Sequence, residues 1–574
     1  MKKTVISKLT GSRELLGILA AFVCLLCFSA TLFWQKSNAR AEAGAKTVDE
    51  VTISMSKGAS VRLDTDESKV GLRYRAYMSE EDYLGLQESV KSGTYSEVTY
   101  GVFVAPKTYN DWKPLNDEAN ILGETAVYNW ADGDTYTEEA GKHRIINLYA
   151  EELIAETEGE TTVYAFTGSV VEFFEANISR EYVGLGYIRY VDSATSEEHY
   201  KFAEDNDNTR SMYEVAQKAV ADRSVNAPTT DQKKNLDAMY TAKVNANYTQ
   251  SNALDYRVLL SGDYTEAEQY AVDELVNFYA EITGKTLPVV YGYSTDTSGY
   301  YISVGDTALY EANPVATMET QGEDGFIVKA VGNSFVLNSA GETGKVYSVY
   351  EFLSQNFGLE FFTGDVYTYT AATSLNSTLD VVQKPSFYDR SLSNGNFTAN
   401  SVAALRMRFD SDASAAGISG KWSSLNAHTY FTLCPVSNYE SHPEWFYAVD
   451  GTPVQLCLST MLTDSTMFNT ILENLKSAIE AEPDKVYFMF GQEDDAHSHC
   501  TCSKCSNSTP STLNVKAANK LAGDVKTWLQ TTAPERANEV KIGIFAYNGD
   551  TLLPPTGVTI ADNVFVYFAP IGLD

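Results

Sequence analysis

The chain has 574 residues, of which 43 are basic and 76 are acidic, and its formal net charge is −33. A chain of this length exceeds what one hydrophobic core can organise, so three or more domains are expected. So large an excess of acidic groups argues against nucleic acid and anionic lipid as partners, and it is typical of a protein kept soluble outside the cell.

The first 41 residues carry the pattern of an export signal. Basic residues precede an uncharged run at 15–34, and Ala39-Arg40-Ala41 then forms an A-x-A cleavage pattern. The alternative is an uncleaved membrane anchor, because about twenty apolar residues also span a bilayer. Cleavage would leave 37 basic and 75 acidic residues, a net charge of about −38. We therefore expect a secreted or cell-surface bacterial protein that contacts membrane only through this segment, if it is retained.

Residues 50–225 have the pattern of a β-sandwich. Short alternating runs, such as 72–76, 98–104 and 182–191, are separated by turns rich in Gly and Asp. A polar linker is predicted at 226–254. The segment 58–76, mainly through its letters GLRYRA, resembles sandwich modules in surface proteins of Gram-positive gut bacteria. That resemblance implies a spacer or a glycan-binding module.

From residue 255 to residue 383 the pattern changes to strands alternating with helices. Thr265 and Glu268 form a capping box, an apolar helical stripe follows, and Gly284 ends the helix. The phrases ELVNFYAEITGKTLPVV, YYISVG, DGFIVKA and GKVYSVYEFLSQNFGLEFF resemble the small α/β domain that precedes the barrel in α-glucuronidases and β-hexosaminidases. In those families the domain is an accessory, so it supplies no predicted catalytic residue.

Residues 385–574 predict a partial (β/α)8 TIM-like barrel. About six candidate strands alternate with amphipathic helices, as βα units require. A closed barrel needs eight such units, so the barrel is expected to be truncated at the C-terminus. The candidate strands are 387–392, 425–433, 454–458, 486–490, 541–546 and 564–568.

The fourth of these strands leads into an acidic loop. Its apolar run stops at Gly491, and Glu493, Asp494 and Asp495 follow at once. Catalytic groups of α/β barrels lie at such strand ends, and neighbouring carboxyl groups suit acid–base chemistry.

Five cysteines follow the signal, so complete pairing into disulfides is excluded. Three of them, Cys500, Cys502 and Cys505, stand beside His497 and His499 in the acidic loop. These residue types suit a structural zinc ion, but a cysteine pair that stiffens the loop is an equal alternative. No cofactor is required by the predicted chemistry. The other two cysteines are Cys434 and Cys457.

The barrel segment resembles a secreted family called domain of unknown function 4838, some members of which belong to glycoside hydrolase family 163. The resemblance is carried by NAHTYFTLCP, SHPEWFYAVDG, QLCLS, FGQEDD with CTCSKC, and NVFVYFAPI. It implies a glycosidase acting on N-acetylglucosamine-containing glycans, similar to an endo-β-N-acetylglucosaminidase with a substrate-assisted retaining mechanism.

This resemblance assigns roles within the loop. Glu493 is expected to be the acid/base and Asp494 the group that orients the acetamido substituent, although related hexosaminidases have Asp before Glu. The alternative is that these acids cap the helix that follows or hold the loop. His428, Trp445 and Asp495 are expected to bind substrate, while a core histidine and a packing tryptophan remain the alternatives.

Two functions follow from these patterns. The first is a secreted or surface-tethered glycoside hydrolase. The alternative is a noncatalytic glycan-binding or adhesion protein that keeps a degraded barrel as scaffold.

Overall fold

The computed structural model describes residues 44–122, 145–150, 153–158, 161–204, 208–294, 299–315, 322–387, 390, 400–409, 412–547 and 549–569. The chain divides into two compact units, the first made of residues 1–264, 287–314 and 330–336, and the second of residues 265–286, 315–329 and 337–574. The predicted export signal lies outside the described residues. Within the described ranges, no helix has the length and apolar character needed to cross a bilayer.

The strands are numbered in chain order. They are β1 Ser54–Met55, β2 Ser60–Arg62, β3 Gly71–Ser79, β4 Tyr95–Pro106, β5 Ile146–Tyr149, β6 Ile154–Glu158, β7 Thr161–Val171, β8 Glu181–Asp192, β9 Glu198–Phe202, β10 Arg210–Ser211, β11 Arg257–Leu260, β12 Val289–Tyr291, β13 Tyr301–Val304, β14 Phe326–Val331, β15 Ser334–Asn338, β16 Glu360–Phe361, β17 Tyr367–Thr368, β18 Asp380–Gln383, β19 Phe446–Val449, β20 Thr452–Leu456, β21 Tyr487–Met489, β22 Lys541–Ala546 and β23 Val564–Phe568.

The α-helices are numbered in the same way. They are α1 Glu80–Lys91, α2 Lys107–Trp112, α3 Glu118–Leu122, α4 Met212–Ala221, α5 Thr230–Leu236, α6 Ala242–Ala246, α7 Glu266–Thr283, α8 Ala308–Ala312, α9 Glu342–Phe357, α10 Ser401–Arg406, α11 Tyr430–Leu433, α12 Leu458–Thr463, α13 Ser465–Ala481 and α14 Pro510–Thr532.

Two antiparallel sheets of five strands each form the N-terminal part of the first unit. One sheet has the order β1-β3-β7-β6 with β2 beside β3, and the other has the order β10-β8-β4-β5 with β9 beside β8. The sheets approach closely at Gly184 of β8, where an added Cβ would lie 2.3 Å from the Tyr74 ring of β3. Large apolar side chains fill the space between the sheets, an arrangement in keeping with the predicted sandwich.

The segment predicted as a polar linker is largely helical. It contains α5, a π-helical turn over Asp237–Thr241 and α6. The Asp237 carboxylate is buried, and it accepts hydrogen bonds from the backbone N–H groups of Tyr293 (2.8 Å) and Ser294 (2.6 Å). The prediction was wrong because polar composition alone does not reveal a helix that contributes a buried side chain to hydrogen bonding elsewhere in its unit.

The predicted capping box at Thr265 begins α7 in the second unit. The Thr265 N–H donates to Glu268 Oε2 at 2.8 Å, and α7 ends at Gly284, which has a φ of 68°. Helix α9 follows, and β14 pairs with β18 in antiparallel fashion. In the first unit, β11 lies between β12 and β13 in a parallel arrangement. These elements agree with the α/β pattern of residues 255–383.

A bidentate ion pair ties α10 to α7 within the second unit. Arg406 Nε and Nη2 each donate to one Glu274 carboxylate oxygen at 2.8 Å, and the Arg406 side chain is 18% exposed. We expect Arg406→Lys to lower the free energy of unfolding by about 1–2 kcal/mol, because lysine cannot form both bonds at once. The matched control is Arg408→Lys, since Arg408 contacts Glu351 through Nη2 alone. Urea unfolding measures both, and equal effects would contradict the bidentate explanation.

Strands β21, β22 and β23 form a parallel sheet in the order of the chain. Residues 421–425 extend this sheet beside β21, with the Ser423 N–H donating to Tyr487 O (3.0 Å) and the Met489 N–H donating to Leu425 O (2.7 Å). Helices α13 and α14 bury the apolar stripes that the sequence predicted. In the described part of residues 385–574, the parallel sheet consists of the segment 421–425, β21, β22 and β23. Closure of this sheet into a barrel stays a prediction.

Two predicted barrel strands are different elements. The segment 425–433 is not a strand, because Ala427 has a φ of 63° and residues 430–433 form α11. The segment 454–458 overlaps β20, which pairs with β19 in an antiparallel hairpin. Its two-residue turn is Asp450-Gly451, and both residues have positive φ angles (50° and 79°). The predicted strand 387–392 lies largely outside the described residues.

Candidate functional site

Several of the candidate polar side chains lie at the carboxyl-terminal edge of the parallel sheet in the second unit. The loop 492–495 follows β21, Tyr547 follows β22, and His428 follows the extended segment 421–425. Because these strands are parallel, their carboxyl ends lie at one edge, the edge at which α/β proteins place ligands.

Gly491 is the point at which two of these chain segments meet. Its N–H donates to Thr429 Oγ1 at 3.0 Å, and its carbonyl oxygen accepts from the Thr429 N–H at 2.9 Å. The Thr429 hydroxyl in turn donates to Met489 O at 2.7 Å. A Cβ on residue 491 would lie 2.1 Å from the Ala427 carbonyl oxygen, so only glycine fits here. These contacts of Gly491 with Thr429 and Ala427 fix the path of the backbone that leads into the acidic residues.

Glu493 is held both by its backbone and by its side chain. Gln455, which is 0% exposed, accepts from the Glu493 N–H at 3.0 Å and donates to the Glu493 carbonyl oxygen at 2.8 Å. The Glu493 Oε1 atom accepts from the Phe431 N–H at 2.7 Å. The carboxylate therefore lies at the first turn of α11. The alternative raised from sequence was capping of the helix that follows, whereas α11 precedes Glu493 in the chain.

Asp494 is exposed and pairs with a residue that the sequence analysis missed. The Tyr547 hydroxyl donates to Asp494 Oδ1 at 2.7 Å. This hydrogen bond to the Asp494 carboxylate raises the pKa of Tyr547, so the phenol stays protonated at neutral pH. Asp494 and Glu493 thus have different partners, as expected for adjacent residues that point apart.

His428 is half-buried beside these groups. Its Nδ1 lies 2.5 Å from the Gln492 carbonyl oxygen, and its ring centroid lies 5.1 Å from that of Phe545 and 5.5 Å from that of Tyr547. A carbonyl oxygen only accepts hydrogen bonds, so Nδ1 carries the proton and Nε2 is the acceptor in the neutral ring. The structure therefore brings His428, Tyr547 and Asp494 together.

The other two predicted substrate-binding residues make local contacts. Asp495 Oδ1 accepts from the His497 N–H and also contacts His497 Nδ1, each at 2.8 Å, and the backbone bond lowers the pKa of Asp495. Trp445 is 2% exposed, and its indole N–H donates to Asp464 Oδ2 at 3.1 Å. These surroundings favour a loop-holding role for Asp495 and a packing role for Trp445.

An aromatic row covers the sheet face below this edge. Ring centroids lie 5.2 Å apart for Trp422–Tyr487, 5.4 Å for Tyr487–Phe565, 6.0 Å for Trp422–Tyr567 and 5.4 Å for Phe545–Tyr567. Tyr567 is 46% exposed. The alternation of β22 and β23 could have revealed the row, because residues two apart on a strand share a face.

Four cysteine sulfurs form a compact cluster behind the acidic loop. Cys457, Cys500, Cys502 and Cys505 place their Sγ atoms within 4.8 Å of one another. Cys457 Sγ lies 3.7 Å from both Cys502 Sγ and Cys505 Sγ. The sequence analysis proposed the last three as ligands and missed Cys457, which directly follows β20.

The two histidines that the sequence analysis considered beside these cysteines, His497 and His499, lie outside the cluster. His497 contacts Asp495, and His499 Nδ1 lies 2.9 Å from Ser498 Oγ. Cys434 is the fifth cysteine and is 0% exposed, and burial raises its pKa to about 11. The odd number of cysteines is thus explained by a group of four and one buried thiol.

Residues 361–574 match the model of a domain of unknown function (DUF4838), in agreement with the resemblance noted for residues 385–574. Among curated protein sequences, none matches the chain.

Several solved glycoside hydrolases are similar in structure. They include a family GH115 4-O-methyl-α-glucuronidase with specificity for decorated arabinogalactans (TM-score 0.34, 12% identity, 55% of this chain and 45% of that one). The N-acetyl-β-hexosaminidase of Streptomyces plicatus has a TM-score of 0.29 and 12% identity, over 57% of this chain and 66% of that one. The chitobiase of Flavobacterium johnsoniae has a TM-score of 0.30 and 11% identity, over 55% and 52%. The present chain spans about half the length of the glucuronidase and of the chitobiase.

Proposed function

We propose that the second unit is a glycoside hydrolase that acts on N-acetylglucosamine-containing glycans by a substrate-assisted, retaining mechanism. The observation that carries this proposal is the placement of Glu493 and the hydrogen-bonded pair Asp494–Tyr547 at the carboxyl-terminal edge of a parallel sheet. Glycoside hydrolysis needs a proton donor for the leaving oxygen and a second group that supports the positive charge developing on the sugar.

Glu493 is the proposed acid/base. Its Oε1 atom is held by the Phe431 N–H, which leaves Oε2 as the atom that would carry the catalytic proton. In the first step this proton would pass to the glycosidic oxygen as the bond to the anomeric carbon breaks. In the second step the resulting carboxylate would accept a proton from the attacking water.

Asp494 and Tyr547 are proposed to orient the acetamido substituent. The Asp494 carboxylate, held at Oδ1 by the Tyr547 hydroxyl, would accept a hydrogen bond from the acetamido N–H and so turn the acetamido carbonyl oxygen toward the anomeric carbon. That oxygen is the nucleophile in a substrate-assisted reaction, so holding it beside the anomeric carbon lowers the entropic barrier. His428 Nε2 would accept a hydrogen bond from a sugar hydroxyl.

Hydrolysis of a panel of substrates tests this proposal. The panel comprises an aryl β-N-acetylglucosaminide, chitobiose and a complex-type N-glycoprotein, with released sugar measured by chromatography and mass spectrometry. Release from at least one member is expected. Binding to the panel without cleavage would overturn the hydrolase proposal and favour the noncatalytic glycan-binding function, for which the aromatic row would supply a stacking surface.

Removing the hydroxyl of Tyr547 should have a moderate effect. We expect Tyr547→Phe to lower kcat about tenfold, because one hydrogen bond to a charged group is lost from the orienting pair. Steady-state kinetics measure the change. Tyr439→Phe, in the turn Val436–Glu440, is the matched control and should leave kcat unchanged; an equal loss in both variants would remove the orienting role.

A further inference from the structure

We propose that Cys457, Cys500, Cys502 and Cys505 bind one zinc ion through four thiolates, forming a structural metal site. Zinc lies about 2.3 Å from each sulfur of a tetrahedral site, which places the sulfurs about 3.8 Å apart. Cys457 Sγ lies 3.7 Å from both Cys502 Sγ and Cys505 Sγ, and all four sulfurs lie within 4.8 Å of one another. These distances match the spacing of sulfurs around a single tetrahedral ion.

The arrangement differs from that of two disulfides. A disulfide joins two sulfurs about 2.05 Å apart and separates them from other cysteines. Cys457 Sγ instead lies 3.7 Å from both Cys502 Sγ and Cys505 Sγ, far beyond the length of a disulfide bond, and all four cysteines are free thiols. A metal ion explains why four sulfurs gather around one point.

The surroundings of the sulfurs supply a second, independent observation. The Thr460 hydroxyl donates to Cys457 Sγ at 3.2 Å. Such a donor stabilises the negative charge of a thiolate and orients it toward a metal. Thr460 therefore supplies a hydrogen bond from outside the ligand set to one of the four sulfurs.

The donor set identifies both the metal and the role of the site. Four sulfur ligands in a tetrahedron suit zinc or iron, and zinc is the usual ion of closed four-cysteine sites. Three of the four side chains are buried and Cys502 is half-buried. All four coordination positions are filled by protein, so no position is open for water or substrate. The ion is therefore structural.

The site joins the acidic loop to the end of β20. Cys457 follows β20 directly, whereas the other three ligands end the loop that begins at Glu493. Gln455, two residues before Cys457, holds the backbone of Glu493 at the other end of the loop. One strand end therefore fixes both ends of the loop, once through an amide side chain and once through the metal.

Metal analysis of the full chain, purified without added metal, tests the site. We expect about one zinc per chain by plasma mass spectrometry, and the intense visible absorption of tetrahedral cobalt thiolate after exchange with cobalt. Cys457→Ser and Cys505→Ser should each lower the zinc content at least tenfold. The matched control is Cys434→Ser, because Cys434 is buried outside the cluster, and it should retain zinc.

A measurement on the unaltered chain keeps the proposal testable if the variants do not fold. Mercurial titration of its thiols should release zinc to a colorimetric chelator, and the melting temperature should fall by roughly 10 °C. It should recover once an added small-molecule thiol has removed the mercurial from the cysteines and zinc is supplied again. Less than 0.1 zinc per chain, with mass spectrometry finding the cysteines paired as disulfides, would overturn the proposal. So would iron at one atom per chain. These results do not depend on whether the chain hydrolyses glycans.

Discussion

Replacing Glu493 with Gln should lower kcat for hydrolysis of an unactivated N-acetylglucosaminide about 10³-fold, within the range that general acid–base groups contribute. KM should change only a few-fold, because the amide keeps the size of the carboxyl group. Its oxygen can still accept from the Phe431 N–H, so α11 and the loop should keep their positions. The loss would then report proton transfer and not a change of structure.

Substrates with different leaving groups distinguish a loss of proton transfer from a change of structure. A dinitrophenyl leaving group needs little protonation, so Glu493→Gln should retain much more of its activity on the dinitrophenyl glycoside than on chitobiose. Glu473→Gln, on the exposed surface of α13, is the matched control and should behave like the unaltered enzyme on both substrates. Equal losses of Glu493→Gln on both substrates would show that Glu493 is not the proton donor.

Gly491→Ala should lower the free energy of unfolding by about 3 kcal/mol or more. The new Cβ would lie 2.1 Å from the Ala427 carbonyl oxygen and 2.9 Å from the Phe545 ring. The first of these is a backbone atom, which cannot move aside as a side chain can. Relief of the clash would separate the segment 421–430 from β21 and break the hydrogen bonds between Gly491 and Thr429.

Chemical unfolding followed by tryptophan fluorescence measures this effect. Gly523→Ala is the matched control, since it makes the same change within α14 at a position with no atom inside 4 Å of the new Cβ. That control should stabilise the protein by about 0.5–1 kcal/mol, because alanine is the better helix former. A stability loss below about 1 kcal/mol for Gly491→Ala would mean that the junction with Ala427 is more adaptable than the structure indicates.

The sequence analysis correctly predicted the strands and helices whose bounds follow from the local pattern of apolar residues. Strands β22 and β23 have the predicted bounds, and the apolar stripes of α13 and α14 are buried as expected. The prediction failed where one residue interrupts a pattern. Ala427 adopts a positive φ within the predicted strand 425–433, where its carbonyl oxygen lies close to Gly491. The Asp450-Gly451 turn, by contrast, was a readable hairpin signal.

The site was predictable only in part. Glu493, Asp494 and the three loop cysteines stand together in the sequence, so one motif indicated them all. Tyr547 and Cys457 belong to other strand ends, 53 and 45 residues away from their partners Asp494 and Cys502. Their approach depends on which strand ends share an edge, and local pattern does not contain that information. Glu493 and Asp494 were predicted as a pair, yet they face different partners.

The buried position of Cys434 separates the thiols of the second unit into two kinetic classes. Cys434 lies in the apolar core with a pKa of about 11, so an alkylating reagent can reach its thiolate only when that core opens. The four clustered thiols would instead be released when the metal leaves. Timing the two alkylation rates in one sample would therefore reveal whether the acidic loop detaches before the core of its unit unfolds, or only together with it.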